Sequence, residues 1–148
     1  LFAVPGKVPL YAETGKNAAA IVENGETVGL EILDGRSRVL FIPGCARMTD
    51  ALRERLQGAD LVLFDGTLWQ DDEMIRAGLG QKTGQRMGHM SVNDANGTIA
   101  AFRDISVGRK VLIHINNSNP ILLADSPERA EVEAAGWDVS DAGLRSRL

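Results

Sequence analysis

Two histidines, His89 and His114, are the side chains of this sequence best suited to chemistry near neutral pH. A neutral imidazole can ligate zinc or iron, or it can move a proton as a general acid or base. His114 follows an apolar run and precedes Ile115-Asn116-Asn117-Ser118-Asn119-Pro120. Its two readings are a metal ligand and a core histidine satisfied by a backbone carbonyl. His89 lies at the end of a glycine-rich stretch, where it could shuttle a proton. Asp65 ends a second apolar run, Leu61-Val62-Leu63-Phe64, and precedes Gly66-Thr67. A carboxylate there could bind a metal, orient a histidine or act as a base. Its competing use is to cap the turn through backbone N–H groups. Lys82 and Arg86 could pair with substrate carboxylates or remain ordinary solvated charges. No Walker spacing accompanies them. Asn116 and its neighbouring asparagines could hold their loop through backbone bonds or bind substrate. A catalytic zinc or a facial-triad iron takes three protein ligands. The chain has no His-x-His-x-Asp-His cluster, and the lone Cys45 cannot build a cysteine site. Spacing alone therefore supplies donors without a complete centre.

The elements that must position these groups follow from local pattern. Residues 1–11 read as extended, held to an edge or loop by Pro5-Gly6 and Pro9. Residues 27–33 and 37–42 are β-prone, and the intervening Asp34-Gly35 predicts a tight hairpin turn. Leu52 and Leu56 stand one helical turn apart within 48–57, and Gly58 supplies a stop. Residues 61–64 and 110–115 read as buried strands. A short helix is expected at 71–77, a loop at 78–88, and a helix from the Ser91–Asp94 region toward Arg103. Ser126-Pro127-Glu128 is a cap, a first-turn proline and an acid, which start a helix that Gly136 ends. The tail from Trp137 adds a short strand. A hairpin followed by alternating α and β elements predicts an α/β (α+β) chain with helices on a mixed sheet. In such sheets the loops at the carboxyl ends of strands carry the sites.

The bulk properties narrow the function classes. The 148 residues suit a single domain, and 44% of them are hydrophobic. A net charge of −4 gives no basic excess for a nucleic-acid partner. No long apolar run or basic leader points to a membrane. The single cysteine favours a reducing cytoplasmic compartment.

Several uncommon strings occur together and in order. They are Phe64-Asp65-Gly66-Thr67-Leu68-Trp69, Asp72-Glu73-Met74-Ile75, Lys82-Thr83-Gly84, Arg86-Met87-Gly88-His89-Met90, the His114–Pro120 stretch, Ser126-Pro127-Glu128-Arg129 and Gly136-Trp137. From about the hairpin to the C-terminus the chain thereby resembles the pyrroloquinoline quinone (PQQ) biosynthesis protein B family of the metallo-β-lactamase superfamily. The resemblance implies an αβ/βα sandwich, with residues 1–148 as a single partial domain equivalent to its C-terminal half. The superfamily's main histidine–aspartate motif belongs to the other half. On the same ground His114 is implied to be a metal ligand, His89 a catalytic histidine beside the metal, and Asp65 the acid that orients it. Cys45 falls where relatives carry a metal-bridging aspartate.

The implied role is in making PQQ. One form is an iron-dependent oxygenase that hydroxylates a tyrosine-derived, glutamate-linked precursor; the other is a carrier for the quinone or its precursor. The implied cofactor is a divalent metal, Fe(II) or Zn, with PQQ not a prosthetic group. Lys82 and Arg86 would meet the precursor's carboxylates, and Asn116 would bind the same substrate. The expected partners are that small molecule and either a second copy or other PQQ biosynthesis proteins. This chain alone is expected to be inactive, and half a sandwich should expose one apolar sheet face.

Overall fold

The computed structural model describes residues 1–8, 10–15 and 20–141. Pro9 and the tail beyond residue 141 lie outside them. The chain opens with three short strands, β1 (Phe2–Ala3), β2 (Gly6–Lys7) and β3 (Ile21–Val22). The expected hairpin follows as β4 (Val28–Leu33) and β5 (Arg38–Ile42). At its turn Gly35 takes φ 86°, and the Asp34 carboxylate accepts from Arg36 N–H and Ser37 N–H at 2.9 and 2.7 Å. The turn chemistry thus lies in Gly35's backbone freedom and Asp34's side chain.

Helix α1 (Asp50–Leu56) carries the chain from β5 to β6 (Ala59–Asp65). Thr49 caps it by accepting from Leu52 N–H, and Leu52 and Leu56 are buried. Short helices α2 (Glu73–Arg76), α3 (Gly84–Met87) and α4 (Thr98–Ala101) precede β7 (Val107–Ile113). Helix α5 (Pro127–Ala134) and strand β8 (Asp138–Val139) complete the described chain. Ser126 caps α5 through Arg129 N–H, as its sequence predicts.

Three expectations change. The 78–88 stretch is not all loop, because Thr83 accepts from Arg86 N–H and starts α3 within it. The helix expected from 91 toward 103 shrinks to α4, after a turn in which Ser91 Oγ–H bonds Asp94. The helix at 71–77 keeps a single turn, Glu73–Arg76. Dense glycine hides short helices in the first case and shortens one in the second, since glycine weakens propensity without forbidding the turn.

Six strands form one mixed sheet in the order β1-β4-β5-β6-β7-β8, and β2 pairs with β3 separately. The pairs β1–β4 and β4–β5 are antiparallel; β5–β6, β6–β7 and β7–β8 are parallel. One face buries Leu40, Ile42, Val62, Phe64 and Leu112 against Leu52, Leu56 and Val132 of the helices. Phe102 stands edge-on between Phe64 and Trp137, with ring centroids 5.0 and 4.8 Å away. The other face is less covered. Its cross-strand partners Leu30 and Phe41 are both 38% exposed, and Ile32 is 49% exposed. Among the described residues no helix is long and apolar enough to cross a membrane.

Candidate metal centre

Strands β6 and β7 lie side by side and end together, with Asp65 opposite Ile113. The polar loops at their carboxyl ends must therefore meet. Gly66 makes the approach close: its N–H donates to Ile113 O at 2.8 Å. A Cβ on Gly66 would lie 2.9 Å from Leu112 Cβ and 3.2 Å from Ile113 O. Further bonds join the two loops. Asn116 N–H donates to Thr67 O at 3.1 Å, and Asn119 Nδ2 donates to Gly66 O at 2.9 Å.

His114 is the first residue beyond β7 and takes φ 55°. Among the described residues it alone, outside glycine, has a positive φ. Histidine tolerates that left-handed region better than most residues. His89 arrives from the opposite side. It follows the left-handed cap Gly88 of α3, and its N–H returns to Gly84 O at 2.9 Å. The next residue ties this segment to the β5 loop, with Met90 N–H donating to Cys45 O at 2.6 Å.

The three sequence-derived candidates converge. Asp65 is fully buried, His89 is 19% exposed at its side chain and His114 is 54% exposed. One ligand atom from each lies within 4.8 Å of the others. His89 Nδ1 is 2.8 Å from Asp65 Oδ2, which also accepts from Cys45 N–H at 3.1 Å. Asp65 Oδ1 accepts from Thr67 Oγ1–H at 2.6 Å and from Thr67 N–H at 3.2 Å. These contacts occupy the four acceptor positions a carboxylate offers. The two imidazoles stack with centroids 5.2 Å apart and planes 21° from parallel. Two imidazoles beside a carboxylate that orients them offer ring nitrogens suited to zinc or ferrous iron.

Thr67 was not singled out by its sequence. Its hydroxyl is 3.1 Å from His89 Nδ1, 2.8 Å from His114 Nδ1 and 3.0 Å from His114 O. The only sequence signal was its place two residues after Asp65, in the loop that leaves β6.

Cys45 stands just after β5, beside the Asp65 carboxylate. Its Sγ–H donates to Arg47 O at 3.1 Å, and its own backbone N–H serves Asp65. Burial pushes the thiol up to about 12. Its Sγ–H is engaged with a backbone carbonyl rather than with the carboxylate and the imidazoles. The carboxylate shared with the imidazoles is Asp65.

The remaining candidates lie on the segments that carry the two histidines. Lys82 and Arg86 are half-buried on the segment that delivers His89. Asn116 Nδ2 donates to Ser118 Oγ at 2.9 Å and Met74 Sδ at 3.1 Å, while its Oδ1 accepts from Asn117 N–H at 3.0 Å. Ser118 Oγ–H passes the chain to Glu73 Oε1 at 2.5 Å, and Glu73 Oε2 accepts from Trp69 N–H at 2.7 Å. Asn116 and the buried Glu73 thus brace the two site loops from behind.

Comparison with known proteins fits this geometry. Residues 3–115 match the family model of the beta-lactamase superfamily domain. Coenzyme PQQ synthesis protein B of Gluconacetobacter diazotrophicus is 72% identical over 144 residues, which are 97% of this chain and 47% of that protein. The protein of the same name from Gluconobacter oxydans is 62% identical over 147 residues, 99% of this chain and 47% of the relative. The chain spans about half the length of the curated relatives it matches. The crystal structure of Zn(2+)-bound PqqB from Methylobacterium extorquens superposes with a TM-score of 0.89 at 53% identity, covering 99% of this chain and 49% of that one. The metallo-beta-lactamase fold protein YhfI from Bacillus subtilis shares the fold at 16% identity, with a TM-score of 0.55 over 78% of this chain and 42% of its own.

Proposed function

This chain belongs to the beta-lactamase superfamily, and from that premise we propose that it supplies one wall of a divalent-metal centre in a protein of PQQ biosynthesis. The observation that carries the reading is the convergence of Asp65 at the end of β6 with His89 and His114 from two separate loops. The similarity to a Zn(2+)-bound PqqB supports it.

The reaction we propose is oxygen-dependent hydroxylation of a tyrosine-derived precursor bearing several carboxylates. Ferrous iron, when bound, would supply the activation of dioxygen that no side chain can supply. His114, the most exposed of the three, would be the ligand. Asp65 would fix the ring of His89 through Nδ1, leaving its Nε2 to give or take a proton at the substrate. Arg86 and Lys82, on the segment that delivers His89, would hold precursor carboxylates. Asn116, held within its loop, would line the same substrate site.

The test is metal content and turnover in the protein that carries this chain, purified anaerobically. His114→Ala is expected to lower metal occupancy and abolish oxygen-dependent product formation. Full metal content with full turnover in that variant would overturn the reading. Tight precursor binding with no oxygen uptake in the presence of ferrous iron would replace it with a carrier role.

A further inference from the structure

The neutral imidazoles of His89 and His114 each carry one proton, on either Nδ1 or Nε2, and only the bare nitrogen can ligate a metal. The hydrogen bonds around Asp65 settle where those protons go. His89 presents Nδ1 to Asp65 Oδ2 at 2.8 Å. A carboxylate only accepts, so Nδ1 carries the proton and Nε2 is bare.

His114 has no such direct partner. Its Nδ1 lies 4.0 Å from Asp65 Oδ1, too far for a hydrogen bond. The acceptor positions of Asp65 are also already filled, by His89, Cys45 and the two groups of Thr67. What stands between Asp65 and His114 is the Thr67 hydroxyl, 2.6 Å from Oδ1 and 2.8 Å from His114 Nδ1.

That hydroxyl has one proton and several acceptors within reach. A separation of 2.6 Å from Asp65 Oδ1 lies within the roughly 2.5–2.7 Å of a charge-assisted O–H···O⁻ bond. The 3.0 Å contact to the neutral carbonyl of His114 is longer and weaker. If the proton pointed to His114 Nδ1 instead, two oxygen lone-pair shells would face each other at 2.6 Å. The proton therefore goes to Asp65, and Thr67 Oγ1 is left as an acceptor. Its two lone pairs face His89 Nδ1–H at 3.1 Å and His114 Nδ1 at 2.8 Å, so at the shorter contact His114 Nδ1 is the donor.

We infer that Thr67 is a positioning residue that relays the buried Asp65 carboxylate to His114, fixing the Nδ1–H tautomer so that His114 Nε2 is the ligating atom. One carboxylate thereby sets both histidines, His89 directly and His114 through a hydroxyl. The inference rests on the metal-centre reading above for its purpose, but not for its geometry.

The experiment uses the protein that carries this chain, with no metal added, at a pH where both imidazoles are neutral. Nitrogen-15 NMR of the histidine rings reads the tautomers directly. The wild type is expected to show Nδ1–H at both residues. Thr67→Val keeps the shape and removes the hydroxyl; it is expected to release the His114 tautomer while leaving His89 as Nδ1–H. Zinc affinity, measured by competition with a chromophoric chelator, should fall by about 10- to 100-fold, as for other groups that orient metal ligands. Thr67→Ser should restore both the tautomer and the affinity. An Nε2–H tautomer of His114 in the wild type overturns the inference, even if Thr67→Val fails to fold. So does a folded Thr67→Val with unchanged tautomer and affinity. If the wild type and His114→Ala bind zinc equally poorly, the metal reading fails instead, and the tautomer measurement still decides the role of Thr67.

Discussion

His114 holds φ 55° with a side chain, a conformation that costs about 1–2 kcal/mol for most L-residues. The surrounding loop enforces it, since Asn116 N–H and Gly66 N–H fix the chain on either side of the residue's carbonyl. His114→Gly and His114→Ala both remove the imidazole, so comparing them isolates the backbone. In metal-free protein the glycine variant should be the more stable by about 1 kcal/mol in urea unfolding, and both should bind zinc more weakly than the wild type. Equal stabilities would remove strain from the description of the site. Cys45 offers a second test at this scale. Burial raises its thiol from 9.0 to about 12, so the folded state keeps a proton that the unfolded state releases first. Its contribution to stability is complete below pH 9 and is lost as pH rises toward about 12. At pH 8 iodoacetamide should modify Cys45 only after denaturant is added, as read by intact mass; rapid alkylation of the native protein would contradict this.

The element that positions the site is the parallel pair β6–β7. Its ends can come together because residue 66 has no side chain to interpose between them. Gly66→Ala is expected to cost about 1–3 kcal/mol through overpacking against Leu112 Cβ and Ile113 O. It should also move Thr67 away from His114 and weaken zinc binding. If zinc affinity survived a clear drop in melting temperature, the strand ends would be less tightly coupled to the site than their spacing implies. The short helix α3 serves in the same way from the other side, since Thr83 starts it and Gly88 ends it just before His89. Its role is delivery rather than stability, because one turn adds little by itself.

At the scale of the whole molecule the sheet is covered unequally. Leu40, Ile42, Val62 and Phe64 face the helices, while Leu30, Ile32 and Phe41 are exposed on the opposite side. A contiguous apolar face of this kind favours association. Expressed by itself, the chain is expected to self-associate with rising concentration, seen by size-exclusion chromatography with light scattering. Leu30→Glu combined with Phe41→Lys should reduce it, because the two positions are register partners and can pair their charges. A wild-type chain that stays monomeric throughout would show that this face needs no cover.

Local chemistry determined much of this molecule. The caps at Thr49 and Ser126, the Asp34-Gly35 turn and the apolar runs ending at Asp65 and before His114 were legible because each depends on neighbours in sequence. The donor residues Asp65, His89 and His114 were legible by type, and the resemblance of their surrounding strings pointed to the family. Spacing could not show that the three meet, since His89 lies 24 residues from Asp65 and His114 lies 47 from Thr67. Only the parallel register of β6 and β7 and the turn of α3 closed those distances. Thr67 stayed hidden for a related reason: a hydroxyl becomes informative only when its partners are known, and those come from separate segments of the chain. Which side of the hairpin is buried was likewise a tertiary decision. The sequence makes Leu30, Ile32, Leu40 and Ile42 equally apolar, and the placement of the helices alone separates core from surface.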